Sequence, residues 1–490
     1  MSEVCSVSTP VISFKPRGLF INGEWRAPSS SVTMESVNPS TGERLPDVPV
    51  ASDEDVDAAV AAAEQAFHTT WRKLRITERA SLLERLADCI AAHRDELGML
   101  DCIDGGNTLS GMLGDVDWAA ASLRYFAGLI TEIKGETFAQ DPGHLNWTHR
   151  QPYGVVAKIN PFNHPFRFCA EKAAAALAAG NTVVIKAPEQ ASLSSLRFGE
   201  LCEGILPPGV VNVVTGGGLT GAALVRHPRV RRIGFVGSVE TGRLIARGAA
   251  EGLKRLTLEL GGKNPVVIFP DVDPTDAAKQ AIEGMNMNRQ GQSCSSTSRV
   301  LVHESLHEPV VEQLAKQLDA LRVGLPWLPR TDLGPIVSRE QYDRVMRYVQ
   351  LGSAEGARLV TGGCRPTEPE LAGGWFLRPT LFDGVTPDMK IGSEEIFGPV
   401  MSVMPWSDYD QMMSVANGLE YGLTASIVTN DLRVALKTAE RLECGYVWIN
   451  SKGRYLGAPY GGWKLSGLDR EECFDELLSY TQIKNVNLRW

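Results

Sequence analysis

The sequence predicts an α/β protein built on parallel, doubly wound sheets in two domains. Three observations carry this. The chain has 490 residues, of which 43% are hydrophobic, enough for more than one core, since single cores stop growing at about 250–300 residues. From residue 153, short apolar runs alternate with helical patterns, the rhythm of a parallel sheet covered on both faces. The alternation then restarts near residue 260.

Taken in chain order, "FINGEW" (20–25) reads as a hairpin around Asn22-Gly23, a dipeptide that suits a tight turn between twisted strands. Ser52 with Asp55 three residues on forms a capping box that opens a helix at DVDAAVAAAEQAF. TERASLLERLADCIAAHRDELGML and DVDWAAASLRYFAGLITEI repeat apolar residues at helical spacing. The strands that follow are "GVVAKI", "NTVVIKAP", "VVNVVTG", "RRIGFVG" and "RLTLELGG", with helices between them. The second set is "NPVVIF", "SRVLVH", "PVMSVMPW", "TASIVTN" and "GYVWIN". The last segment, "LLSYTQIKNVNLRW", reads as a strand without a local partner, available to another subunit.

Composition excludes several classes. The net charge is -9, with no basic run, so neither nucleic acid nor a membrane surface is an expected partner. No stretch reaches the roughly 20 apolar residues of a transmembrane helix. The first 18 residues lack a charged start followed by an apolar run, so a secretory signal is not expected. Nine cysteines, at 5, 89, 102, 169, 202, 294, 364, 444 and 473, are scattered without a C-x-x-C. That pattern fits free thiols in a reducing compartment and a cytoplasmic protein; Cys89 and Cys102 lie in helical patterns and read as core or near-core.

A nucleotide site is legible without the usual G-x-G-x-x-G. Strand "RRIGFV" is followed by "GSVETG", with Gly237 and Gly242 opening a helix whose N-terminus favours a phosphate; an ordinary strand-to-helix turn has the same pattern. "VVIKAPE" places Lys186 and Glu189 just past a buried strand. A carboxylate there accepts ribose hydroxyls and repels a 2′-phosphate, favouring NAD over NADP; a solvated ion pair is the alternative. Cys294 lies in "NRQGQSCSSTSR", among small polar residues unlike a core cysteine's surroundings. "HESLH" (303–307) matches H-E-x-x-H, but His303 ends a strand while the helix begins near Ser305. That split spoils the i, i+4 geometry of a zinc site, and no metal is expected.

Together the motifs "NPSTGE", "GVVAKINPFNHP", "VIKAPE", "GFVGSVETG", "LELGGKNP", "GQSC", "EEIFGPV", "NGLEYGL", "VWIN" and "PYGGWKLSGL" stand in an order that resembles the NAD(P)-dependent aldehyde dehydrogenase superfamily, over about 450 residues. The resemblance implies a cofactor domain (10–128 and 150–258), a catalytic domain (259–458) and a small β oligomerisation element (129–149 and 476–490), and thus a homo-oligomer, dimer or tetramer. It implies Cys294 as nucleophile, Glu259 as general base and Asn163 as oxyanion donor. Lys186 and Glu189 would hold the adenosine ribose, Gly237 and Ser238 the pyrophosphate, and Glu395 and Phe397 the nicotinamide ribose and ring; Ile159 and Phe162 would line the cofactor cleft.

The chemistry suits these residues. An aldehyde surrenders hydride only after a nucleophile has made its carbon tetrahedral, and thiolate is the best protein nucleophile for this. An ordinary thiol, with a pKa of about 8.5, is mostly protonated at neutral pH, so local charge must favour thiolate. Glu259 ends an apolar strand, where burial raises a carboxyl toward the range of a working base. Coenzyme A-acylating members of the superfamily generally lack this glutamate, so hydrolysis to a free acid is expected. An acylating enzyme and a catalytically silent homologue are the alternatives.

Three departures from the family pattern stand out: Phe162 where tryptophan is usual, His164, Phe168 and Glu171 in the helix that follows, and Asp469 in "SGLDRE" where glycine is usual. The last questions the local loop, because aspartate tolerates positive φ less well than glycine. The expected substrate lining is Phe162, Phe168, Ser293, Ser295, Tyr455 and Tyr460, roomy and aromatic with a polar floor. It points to a small-molecule aldehyde that is medium-sized or aromatic. Lys452 and Arg454 read as a solvated loop, with an anionic substrate tail as the alternative.

Overall fold

The two runs of alternating strands and helices fold into two twisted sheets in the computed structural model, which describes residues 9–490; Cys5 and the start of the N-terminal segment lie outside the described residues. In the first sheet five parallel strands stand in the order Val211–Val214, Thr182–Lys186, Val155–Ile159, Val230–Val236, Arg255–Glu259. The hairpin Leu19–Ile21/Glu24–Arg26 adds antiparallel at one edge and Gly467–Leu468 at the other. Both central residues of the hairpin turn have positive φ, +58° at Asn22 and +78° at Gly23, as a turn matched to strand twist requires. Strands Val155–Ile159 and Thr182–Lys186 are buried throughout, because helices cover both faces.

The second sheet runs Arg358–Thr361, Thr380–Asp383, Val400–Trp406, Arg299–His303, Pro265–Ile268, Thr424–Val428, Tyr446–Ile449, parallel except at its first strand. The capping box on Asp53–Thr69 is present: Ser52 Oγ accepts from the Asp55 N–H and the Asp55 carboxylate from the Ser52 N–H. In "HESLH", His303 closes a strand and the α-helix begins only at His307, after a 3₁₀ turn over Glu304–Leu306.

The C-terminal strand has no local partner, as expected, but it is not left unpaired. Thr481–Arg489 does have a partner within the chain: it pairs antiparallel along its whole length with His144–Pro152. The pairing spans over 300 residues of sequence, so no local pattern announces it. With Thr137–Phe138 it makes a three-stranded ribbon in which Thr481–Arg489 is an edge, and Ile483 and Trp490 are exposed.

In the first sheet the chain moves from Val155–Ile159 outward to Thr182–Lys186 and Val211–Val214, then returns to add Val230–Val236 on the other side. The strand order therefore reverses at Val155–Ile159 and Val230–Val236. Open α/β sheets bind ligands at the carboxyl ends of strands flanking such a reversal.

Candidate active site

Two cavities meet at that point. The first, about 160 Å³, is lined by Phe162 and Asn163 after one of the two strands and by Val236, Gly237 and Ser238 after the other. Glu395, Phe397, Gln341 and Arg344, from segments between strands of the second sheet, close it. The second, about 260 Å³, is lined by Phe168, Ser293, Ser295, Trp118 and a set of charged side chains. Cys294 and Glu259 line both cavities.

Cys294 sits on a loop of small residues and not in an α-helix. A single 3₁₀ turn, Met287–Arg289, precedes it. Gln290 and Gly291 then take φ of +53° and +65°, which breaks any helix and turns the chain into a loop. Asn264, of "LELGGKNP", fixes that loop by donating its amide to the Cys294 carbonyl at 2.7 Å and to the Ser296 carbonyl at 3.0 Å. The glycine pair before it permits the approach. A Cβ on Gly261 would lie 2.2 Å from Glu395 Oε2, and one on Gly262 2.9 Å from the Cys294 carbonyl oxygen. Only glycines let the carboxylate and the cysteine loop close on this strand end.

Electrostatics separate the two shared groups. Burial pushes the Glu259 carboxyl up to about 7, near the value at which a carboxylate is both available and basic at neutral pH. Its Oε1 is buried without a protein partner. Burial, and then the facing Glu259, push the Cys294 thiol well above its ordinary value, so the proton rests on sulfur until positive charge or substrate arrives. Tyr460, buried, brings its hydroxyl to 3.9 Å from Sγ. Asn163 is buried, its Oδ1 without a partner, while its backbone carbonyl accepts from Asn107 Nδ2 at 3.2 Å.

On the other side of the thiol, Glu395 Oε1 accepts from the Gly262 N–H at 3.0 Å, and burial pushes its carboxyl up to about 7. Phe397 holds φ at +59°, costly for an aromatic residue, and its ring meets Phe162 edge-on at 5.7 Å. Phe162 thus lines the first cavity and not the second. Ser238 Oγ caps the helix Val239–Ala250 through the Thr241 N–H. Lys186 and Glu189 pair at 3.1 Å at the end of the next strand, with Lys186 buried and Glu189 partly exposed. They and Ile159 lie outside the first cavity's lining.

The substrate-side expectations fare unevenly. Phe168, Ser293 and Ser295 line the second cavity, and Tyr460 lies against the thiol. Tyr455 does not join them: it is 71% exposed, because the loop carrying it turns its neighbour Arg454 inward instead. Arg454 is no solvated loop residue. Its guanidinium lies 3.7 Å over the Tyr460 ring and pairs with Glu472. The lining is ionic more than aromatic, through Asp115, Arg167, Arg289, Lys452, Arg454 and Glu472. Local sequence carried little warning of these residues. Asp115 on the inward face of Leu109–Leu129 and Arg289 five residues before Cys294 were the available signals.

Comparison with known proteins agrees with this layout. The model of the aldehyde dehydrogenase family matches residues 25–486. The chain is 44% identical to aldehyde dehydrogenase tropH of Talaromyces stipitatus, over 96% of this chain and 93% of that protein. It is 40% identical to hydroxyisobutyraldehyde dehydrogenase of Mycolicibacterium austroafricanum, over 100% and 97%. Among solved structures, the NAD+ complex of an aldehyde dehydrogenase from Bacillus cereus superposes with a TM-score of 0.94 at 40% identity, covering 98% of this chain and 97% of that one. With the family match spanning nearly the whole chain, the protein belongs to the aldehyde dehydrogenase family.

Proposed function

We propose that this NAD-dependent aldehyde dehydrogenase oxidises a medium-sized aldehyde to a free carboxylate through a covalent adduct on Cys294, and that Glu259 activates the water that releases the product. The observation that carries the reading is that Cys294 and Glu259 alone line both cavities, so one sulfur faces a cofactor on one side and a substrate on the other.

The residues of the first cavity fit a dinucleotide. Its walls come from the carboxyl ends of the two strands at the sheet's reversal, and a serine-capped helix opens there. Glu395 and Phe397 would hold the nicotinamide ribose and ring, Gly237 and Ser238 the pyrophosphate, and Lys186 with Glu189 the adenosine ribose. When bound, NAD accepts the hydride. The Cys294 thiolate adds to the carbonyl carbon. The Asn163 amide and the Cys294 N–H donate to the resulting oxyanion; one such donor is worth about 3–4 kcal/mol of barrier. Collapse of the tetrahedral thiohemiacetal leaves a thioester on Cys294. Glu259 then takes a proton from water, which attacks the thioester carbon, and the acid leaves with the thiol regenerated.

In this reading residues 10–128 and 150–258 carry the cofactor and 259–458 the nucleophile. The ribbon of 129–149 and 476–490 joins subunits through its open edge and exposed apolar side chains, giving a dimer or tetramer. Among the described residues no helix is long and apolar enough to cross a membrane; the reading places the enzyme in the cytoplasm on its scattered cysteines without a C-x-x-C.

The test is NADH absorbance on adding aldehydes with NAD. Turnover without coenzyme A, abolished by Cys294→Ala, is the expected result. A rate that requires coenzyme A, or Cys294→Ala at full activity, refutes the mechanism.

A further inference from the structure

We infer that the aldehyde this enzyme takes carries a carboxylate at its far end, seated on the cationic wall of the 260 Å³ cavity. This deepens the function proposed above and rests on it.

Four cations line that cavity: Arg167, Arg289, Lys452 and Arg454. The carboxylates facing them away from the thiol are Asp115 and Glu472, and both are already shared. Asp115 accepts from Arg289 at 2.6 Å and pairs with His164 at 2.7 Å, with Arg167 at 3.9 Å. Glu472 accepts from Arg167 at 3.2 Å and pairs with Arg454. Behind the wall Arg167 also meets Glu171 at 2.5 Å, and Lys172 bridges Glu171 and Glu471. Arg167, Lys172, Arg289 and Arg454 are thus paired with Asp115, Glu171, Glu471 and Glu472, while Glu259 beside the thiol and Glu476 behind Lys172 add further carboxylates at that end.

The odd cation is Lys452. Among the described residues no carboxylate lies within ion-pair distance of it. Its Nζ has only the Gly284 carbonyl, at 3.5 Å, and the Trp448 ring, 4.5 Å to the centroid. Arg454 adds an Nε that is buried without a partner. Lys452 is half-buried; burial pushes its amine down to about 7, and Glu283, beyond ion-pair distance, only partly offsets this, so a carboxylate seated on Nζ would supply the close counter-charge that the site lacks. Because the cavity begins at Cys294 and Glu259, a substrate reaching from the sulfur to this wall has an aldehyde at one end and the anion at the other. Trp118 and Phe168 add apolar surface to the same cavity.

The test compares kcat/KM for 5-oxopentanoate, its methyl ester and glyceraldehyde 3-phosphate, in wild type and in Lys452→Met. The expected result is a preference for 5-oxopentanoate over the ester of about tenfold or more, with the ratio falling toward one in Lys452→Met. The ratio is insensitive to how much of the variant folds. Equal kcat/KM for acid and ester overturns the inference and leaves the proposed function standing. A preference for the phosphate assigns the wall to phosphate and also overturns it. Calorimetric binding of glutarate against its monomethyl ester examines the same wall without turnover: tighter glutarate supports the inference, and equal binding overturns it. No oxidation of any aldehyde would refute the proposed function itself.

Discussion

Replacing Glu259 by glutamine separates the two halves of the proposed reaction. The side chain is buried at the end of an apolar strand, and burial places its carboxyl at about 7. Only the ionised form can take a proton from water. One pH unit below that value roughly a tenth of the sites are ionised, and one unit above about nine-tenths are. Where thioester hydrolysis limits turnover, kcat should therefore rise about tenfold from pH 6 to pH 8. Glutamine keeps the shape and one acceptor oxygen but cannot act as a base, and positioned general bases contribute about 10²–10⁴ in rate, or about 3–5 kcal/mol. Stopped-flow absorbance of NADH reads both steps. The variant should keep a burst of about one equivalent per site, then turn over a hundredfold or more slowly, with a flat profile between pH 6 and 8. Near-normal steady-state rates would refute the assignment. Loss of the burst together with turnover would move Glu259 from thioester hydrolysis to activation of the thiol.

Two further outcomes follow from individual contacts. Asp469→Gly would remove a positive-φ strain, at +69°, worth about 1 kcal/mol. It would also strip the fully buried Arg232 of the one carboxylate within ion-pair distance among the described residues, at 3.4 Å, a loss toward the low end of about 3–5 kcal/mol because Asp469 is partly exposed. The second effect is larger, so the denaturant midpoint should fall by the equivalent of about 1–2 kcal/mol; a stabilised variant would contradict this. Glu189→Ser removes the carboxylate that would accept ribose hydroxyls and repel a 2′-phosphate. The ratio of kcat/KM with NADP to that with NAD should rise about tenfold, and an unchanged ratio would place cofactor selection elsewhere.

The sequence by itself determined the two α/β sheets, the hairpin at Asn22-Gly23 and the capping box at Ser52, because each is specified by residues a few positions apart. It also supplied the motifs that mark Cys294, Glu259 and Asn163. Around them the backbone leaves little room for other residues, as in the Gly261-Gly262 approach to Glu395 and the Cys294 loop. Only the tertiary structure decided what surrounds them. Arg454 turned inward while Tyr455 faced solvent, and the C-terminal strand found His144–Pro152. Asp115, Arg289 and Glu472 converged from three distant segments. Those outcomes depend on ion pairs and strand pairings between residues far apart in the chain, and such energies have no local pattern from which to be read.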